Sequence, residues 1–208
     1  KSFLVFHSEK RFTTNACKSA NTHPFLKLLG SRAVSVYSLA SRVPQGVAGV
    51  ANSAITSAVT TRATAQHLAA SDQSKYWAGG RRAAARAALV GVALTAGLVT
   101  ATISVGDLVF GGARIDEGDA RTIIDSQLLL SAMLTPYLVS VVLARYMQVD
   151  RNYRSVTVAT ALALVINVAG NAILSGQFGV PGIAAATVAA WIVAAGYLLV
   201  QRRPPSEG

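Results

Sequence analysis

The segment AALVGVALTAGLVTATISVG, residues 87–106, has no charged side chain and is bounded by Arg86 and Asp107. An α-helix needs about 20 residues to cross a hydrocarbon core of about 30 Å, and this segment has that length. Similar segments occupy residues 41–61, 123–144, 156–174 and 183–200. The sequence therefore predicts an all-α fold, a polytopic bundle of about five transmembrane helices.

The loops between these segments alternate in charge. Residues 62–86 hold five basic side chains against Asp72, whereas residues 107–121 hold four acidic side chains against two arginines. Residues 145–154 are basic again, and the tail after residue 201 adds two arginines. Because basic loops tend to face the cytoplasm, the pattern predicts one orientation, with the C-terminus in the cytoplasm.

The composition also favours a membrane protein. The chain is 52% hydrophobic and 13% charged, with a mean hydropathy of +0.44, which leaves too few polar side chains to solvate a soluble globule. Most of the charge after residue 60 lies in short loops with no basic face interleaved with aromatics, so we expect no nucleic-acid partner. With Cys17 as the single cysteine and three scattered histidines, we expect neither a disulfide nor a metal site.

The ends of the chain differ from its middle. Residues 1–35 carry six basic side chains and no apolar run long enough to cross a bilayer or to act as a secretory signal. Alternation would place this basic segment outside, so we interpret it as a truncated or non-native lead-in. Residues 36–201 are then the transmembrane helical lobe, and residues 202–208 are a cytoplasmic tail.

Small residues and prolines within the spans predict how the helices meet. Gly46 and Gly49 in the first span and Gly182 at the start of the last allow close approach of backbones, which drives helix packing in lipid. Pro44 and Pro136 lie inside spans, where each removes a helical hydrogen bond and is expected to form a kink or hinge.

Polar side chains within spans are costly, so we expect them to point away from lipid. Asn167 and Asn171 stand four residues apart on one face of the fourth span, which favours interhelical hydrogen bonding over ligand contact. Arg42, near the outer end of the first span, either snorkels to the interface or grips a phosphate with paired donors. With Gln45 and Asn52 it forms the predicted substrate-binding set.

No catalytic constellation is visible. The chain lacks a paired-carboxylate motif, a supported His and Ser arrangement and a phosphate-binding loop. We interpret Gly79-Gly80 and Gly111-Gly112 as turns in loops, and the acidic residues 116–119 as a solvated run that lacks the other ligands of a calcium loop. We therefore predict neither enzyme activity nor a cofactor.

Four motifs occur together in the order seen in a known family. They are YSLASRVPQGVAG at 37–49, VLAR at 142–145, NVAGN at 167–171 and GVPGIAAAT at 179–187. Over about residues 35–201 the chain resembles the C-terminal half of flippases in the multidrug/oligosaccharidyl-lipid/polysaccharide exporter superfamily. That superfamily includes the MviN/MurJ lipid II flippases and the O-antigen and polysaccharide transporters.

The resemblance implies one lobe of a two-lobed bundle around a cationic cavity in the bacterial cytoplasmic membrane. An undecaprenyl-pyrophosphate-linked glycan would be flipped across that membrane by alternating access. By the same resemblance, the first span lines the cavity, Arg42 contacts pyrophosphate or sugar, and Arg145 anchors its helix. The partners would be membrane lipids and an N-terminal half that the chain lacks.

One part of the first motif departs from the lipid II flippases. They carry an acidic and a basic residue just before the proline-glycine element, where this chain has Ser38, Leu39 and Ser41. The Arg42-Val43-Pro44 form is more similar to the polysaccharide branch, which leaves the glycan open. An integral-membrane lipid-linked sugar transferase and a noncatalytic membrane subunit are the alternatives, although a transferase would need clustered acidic or histidine residues in a cytoplasmic loop.

Overall fold

The computed structural model describes residues 31–69, 73–111 and 117–201. In these ranges almost every residue is helical and none lies in a strand. The helices are α1 (Ser31–Ala69), α2 (Gln73–Gly111), α3 (Glu117–Ala132), α4 (Leu134–Val149), α5 (Tyr153–Phe178) and α6 (Val180–Val200). The predicted all-α fold is confirmed. The lead-in before residue 31 and the tail after residue 201 lie outside the described residues.

The five predicted spans all lie in helices, with the third divided between α3 and α4. Four segments of the described chain are long and apolar enough to cross a membrane: Gln73–Val105, Glu117–Val149, Tyr153–Phe178 and Val180–Val200. Helix α1 has 39 residues but is not among them. Small and polar side chains take the place of large apolar ones in α1, so it differs in character from the other spans.

The region interpreted as a basic loop is largely helical. Residues 62–69 continue α1 and residues 73–86 open α2, so alanine-rich sequence extends both helices beyond the apolar spans. The interpretation of Gly79-Gly80 as a turn is wrong, because both glycines lie within α2. A Cβ on Gly80 would stand 3.1 Å from the ring of Tyr146. The missing side chain lets α2 approach α4 closely.

A turn at Met133 divides the third span. Pro136 lies in the first turn of α4, where its missing N–H cannot bond the carbonyl four residues earlier. At the break itself, the Met133 N–H donates to the carbonyl three residues back, that of Leu130, at 3.2 Å. Pro44, by contrast, is buried inside the uninterrupted helix α1. Pro136 therefore coincides with a break in its span, and Pro44 does not.

This break is held against α2. The Thr95 hydroxyl donates to the Ser131 carbonyl at 3.0 Å. One turn earlier on α2, a Cβ on Gly91 would lie 2.6 Å from Cα of Thr135, so the two backbones meet there. The hydrogen bond from Thr95 gives a partner to the Ser131 carbonyl, which lies next to the break at Met133.

Helix α4 forms the centre of the bundle and packs against α1, α2 and α6. Its fully buried side chains are Leu134, Leu138, Val142, Leu143, Tyr146 and Met147. Helix α5 packs chiefly against α6 and has few other contacts. Gly179, with φ of 62°, joins this pair in a conformation that favours glycine.

Side-chain contacts define the two ends of the bundle. At one, the Tyr76 hydroxyl of α2 donates to the Tyr146 carbonyl of α4 at 2.8 Å, and the Tyr146 hydroxyl donates to Gln66 Oε1 of α1 at 2.9 Å. This basic end includes residues 62–69, 73–86 and 145–154. At the opposite, acidic end, the starts of α1, α3 and α6 share a hydrophobic cluster. The fold therefore gathers both basic segments at one end.

Candidate functional site

Helix α1 has two dissimilar faces. Buried residues recur every three or four positions along one of them: Val36, Ala40, Pro44 and Ala48. The opposite face exposes small and polar residues, which we call the polar strip of α1: Arg42, Gln45, Gly46, Gly49 and Ser53. At helical spacing these five residues align along the axis, so α1 presents a polar strip away from the bundle, bordered by the exposed aliphatic residues Leu39, Val43 and Val50.

The predicted substrate-binding residues lie on this strip or at its edge. Arg42 and Gln45 are exposed, and within the described ranges no side chain bonds the Arg42 guanidinium. Asn52 is half-buried beside the strip, where its Oδ1 accepts a hydrogen bond from Thr56 at 3.1 Å. The strip thus offers one free guanidinium and an uncommitted amide on adjacent turns.

The two glycines of the strip leave open space. A Cβ added to Gly46 or Gly49 would meet nothing within 4 Å, so neither contacts another helix in the described part of the chain. Their predicted role in packing would therefore need a surface outside the described residues. The Ser53 hydroxyl donates to the Gly49 carbonyl at 3.0 Å, which satisfies its donor within α1.

Other exposed helix faces are of a different kind. Helix α5 exposes large apolar side chains, including Leu164, Val165, Val168 and Ile173. Such a face suits contact with acyl chains, because lipid forms no hydrogen bonds with polar groups. An arginine on an exposed, low-hydropathy face is instead expected to meet water, protein or a polar ligand. The strip is therefore poorly suited to lipid.

A second polar arrangement joins three helices near the acidic end. Asn171 Nδ2 donates to Asn167 Oδ1 at 3.0 Å, and Asn167 Nδ2 donates to Thr187 Oγ1 of α6 at 3.2 Å. The Tyr37 hydroxyl of α1 lies next to the Thr187 hydroxyl. Thr187 in turn donates to the Ile183 carbonyl at 3.0 Å. We call Tyr37, Thr187, Asn167 and Asn171 the α1–α5–α6 network.

Sequence reasoning identified the asparagines of this network but not Tyr37 or Thr187. The available signal was weak, since both lie at the ends of quoted motifs and only the fold brings them together. Close packing holds the same helix pair: a Cβ on Gly182 would strike the Leu174 carbonyl oxygen, and one on Gly170 would lie 2.8 Å from the Ala186 Cβ. Gly182 therefore lies at a contact between α5 and α6.

The aromatic junction at the basic end was also missed. The ring of Tyr76 lies 5.2 Å from His67, 5.7 Å from Trp77 and 5.3 Å from Tyr146, measured between centroids. Nearby, half-buried Arg145 donates to Gln148 Oε1 at 2.8 Å on its own helix. The sequence places these aromatics near span ends, but their mutual contact depends on the helical extensions of α1 and α2.

Comparison with known proteins identifies relatives of this bundle. The family model described as lipid II flippase MurJ matches residues 22–206. No curated protein matches the chain by sequence. Among solved structures, the lipid II flippase MurJ in an inward closed conformation is similar, with a TM-score of 0.69 and 17% identity. The similarity covers 80% of this chain and 35% of that one, so the chain spans about a third of its length.

These matches support the fold and the recognition of the motifs. Both carry the lipid II flippase description, whereas the Arg42-Val43-Pro44 form favoured the polysaccharide branch. The expectation based on that tripeptide is therefore not supported by the matches, although Ser38 and Leu39 still depart from the lipid II pattern. The low identity to the solved structure restricts that comparison to the fold.

The α1–α5–α6 network predicts a measurable contribution to stability. Thr187→Val keeps the shape of the side chain but removes the hydroxyl that joins Tyr37 and Asn167. The interhelical hydrogen bond from Asn167 and the polar contact with Tyr37 would be lost, at about 1 kcal/mol in total, which corresponds to about 2–4 °C in the melting temperature. Thermal unfolding of the purified protein in detergent measures the change. Thr160→Val is the control, because Thr160 is exposed and donates to Val156 on its own helix. Equal melting temperatures for the two variants would contradict the assignment.

Proposed function

The chain belongs to the lipid II flippase MurJ family, and on that basis we propose that it forms one lobe of a membrane transporter for an undecaprenyl-pyrophosphate-linked glycan. The transporter would move this lipid across the bacterial cytoplasmic membrane by alternating access. Lipid II is the substrate that the family description favours. Flipping requires no covalent chemistry from the protein, so the proposal is a transporter and not an enzyme.

The polar strip of α1 is the observation that carries this proposal. Four segments of the described chain have the hydropathy of ordinary membrane spans, and α1 does not. A helix of that kind is stable in a membrane when its polar face meets water or another polar surface. A water-filled cavity between two lobes supplies such a surface. We therefore place the strip on the cavity wall of the intact transporter.

In this arrangement Arg42 would bind the pyrophosphate of the substrate. A guanidinium presents parallel donors that match phosphate oxygens, and the exposed Arg42 has no carboxylate partner among the described residues to neutralise it. Gln45 and Asn52 would offer amide groups to the sugar. Gly46 and Gly49 would leave room for the glycan or for the facing lobe.

The second lobe is part of the same proposal. The solved MurJ structure is almost three times as long as the part matched by this chain, which covers 35% of it. The strip and its open glycines face away from α3 and α4, the helices that bury the rest of α1. We expect the partner lobe to face this side. A noncatalytic membrane subunit is the alternative if no transport depends on the strip.

The Arg42 assignment predicts a specific loss of transport. In the intact protein, Arg42→Ala should lower glycan flipping by about tenfold or more, because charge-assisted hydrogen bonds contribute about 1.5–3 kcal/mol. Arg42→Lys should restore part of the activity, since it keeps the charge but loses the paired donors. Surface glycan is measured at equal levels of membrane-inserted protein.

The matched control is Arg121→Ala, which removes one exposed arginine at the same end of the bundle but on α3. It should retain wild-type flipping. Normal flipping by Arg42→Ala would reduce Arg42 to a snorkelling side chain and remove the substrate-binding role. An equal loss in both variants would attribute the effect to net charge.

The orientation in the membrane is also a proposal. The fold gathers the basic segments at one end, which supports a cytoplasmic location for that end and for the C-terminus. In a Cys17→Ser background, single cysteines at Ser74 and Ser206 should be shielded from an impermeant thiol reagent in intact cells. A cysteine at Gly118 should be labelled. Labelling of Ser74→Cys in sealed cells would reverse the orientation.

A further inference from the structure

Two arginines of α2 lie one turn apart at the basic end. Arg82 and Arg86 are both exposed, and their i, i+4 spacing places their Cβ atoms about 6 Å apart on one face. The buried residues of this part of α2 are Tyr76, Gly80, Ala84 and Ala87, and helical periodicity places them on the other side of the helix. The two guanidinium groups therefore project away from the bundle.

Neither guanidinium is neutralised by the described part of the chain. No described side chain forms a hydrogen bond or an ion pair with Arg82 or Arg86. The carboxylate of Asp150 at this end is buried and accepts from Gln73 Nε2 at 3.3 Å. Two positive charges thus lie together at the surface with no partner among the described side chains. An anion could bind them without displacing a carboxylate of the protein.

The same face becomes apolar immediately beyond Arg86. Leu89 and Val90 are 72% and 47% exposed. They continue the face of the arginines, about 4.5–6 Å further along the axis from Arg86. Cationic groups followed by exposed aliphatic groups match a phospholipid in outline, with a charged phosphate above an acyl chain. A soluble anion would use only the first half of this surface.

The place of the arginines in the sequence agrees with this match, because they directly precede the uncharged segment 87–106. The axial rise from Arg82 to Arg86 is about 6 Å, comparable with the headgroup layer of about 5–8 Å on each side of the hydrocarbon core. The half-buried Trp77 lies within two turns before Arg82, and aromatic residues are typical of the membrane interface. Leu89 lies at the start of the uncharged segment, where acyl chains are expected to begin.

We propose that Arg82 and Arg86 bind the phosphate of an anionic phospholipid, with an acyl chain lying along Leu89 and Val90. This site is on α2 and is separate from the polar strip of α1, so it does not depend on the proposed function. A lipid held there would fix α2 at its exposed side, opposite its contacts with α4. The ligand class is phospholipids with net negative charge, such as phosphatidylglycerol.

The test is lipid binding to the intact purified protein, measured by native mass spectrometry during titration with phosphatidylglycerol or phosphatidylcholine. Wild type should prefer phosphatidylglycerol. Arg82→Gln/Arg86→Gln should reduce its apparent affinity by about tenfold or more, because each basic residue contributes about fivefold. Leu89→Ser should weaken binding of long-chain but not of short-chain phosphatidylglycerol.

The matched control is Arg81→Gln/Arg154→Gln, which removes the same charge from the same end of the bundle at exposed positions off this face. It should keep the preference within about twofold of wild type. An equal loss in both double variants would show a general charge effect and overturn the site. Unchanged binding by Arg82→Gln/Arg86→Gln would also overturn it. Displacement of phosphatidylglycerol by equimolar undecaprenyl pyrophosphate would assign the arginines to the transported lipid instead.

Discussion

The hydrocarbon core of a membrane offers no hydrogen bonds, and the arrangement of polar groups in this bundle follows from that constraint. Buried Gln127 donates to the Thr102 hydroxyl at 2.9 Å, and Asn167 reaches Thr187 across a helix interface. Hydroxyl groups elsewhere donate to carbonyls of their own helix, as Ser53 does. Against this background, a guanidinium and an amide exposed on one face of α1 require an aqueous or polar surrounding. The proposed cavity would supply that surrounding.

Packing divides the bundle into a densely packed centre and a peripheral pair. Helix α4 is buried among α1, α2 and α6, and glycines let α2 approach it closely at Gly80 and Gly91. Helix α5 depends almost entirely on α6, through Gly170, Gly182 and the hydrogen bond of Asn167. In the proposed transporter, this lobe would move as one body while α1 presents its open face. Rigid-body rocking of lobes is the ordinary basis of alternating access.

The spans were predictable because length and hydropathy are local properties, and the segment at 87–106 lies inside α2 as expected. The extent of the helices beyond the spans could not be predicted, because the charged residues indicate loops and Gly79-Gly80 indicates a turn. Alanine-rich sequence and packing against Tyr146 override both signals. The division at Met133 was only partly anticipated from Pro136. The partnership of Tyr37 with Thr187 depends on tertiary contact that no spacing reveals.

The most direct test of the account is the environment of α1 in the intact protein. Spin labels at Gln45 and Gly49, in a Cys17→Ser background, are compared with labels at Leu164 and Val168 of α5 for collisions with a water-soluble nickel chelate and with oxygen. If the strip lines a water-filled cavity and α5 faces lipid, the α1 labels will collide preferentially with the chelate and the α5 labels with oxygen. Oxygen-dominated collisions at both α1 positions would mean that the strip faces lipid, and would contradict its place on the wall of a transport cavity.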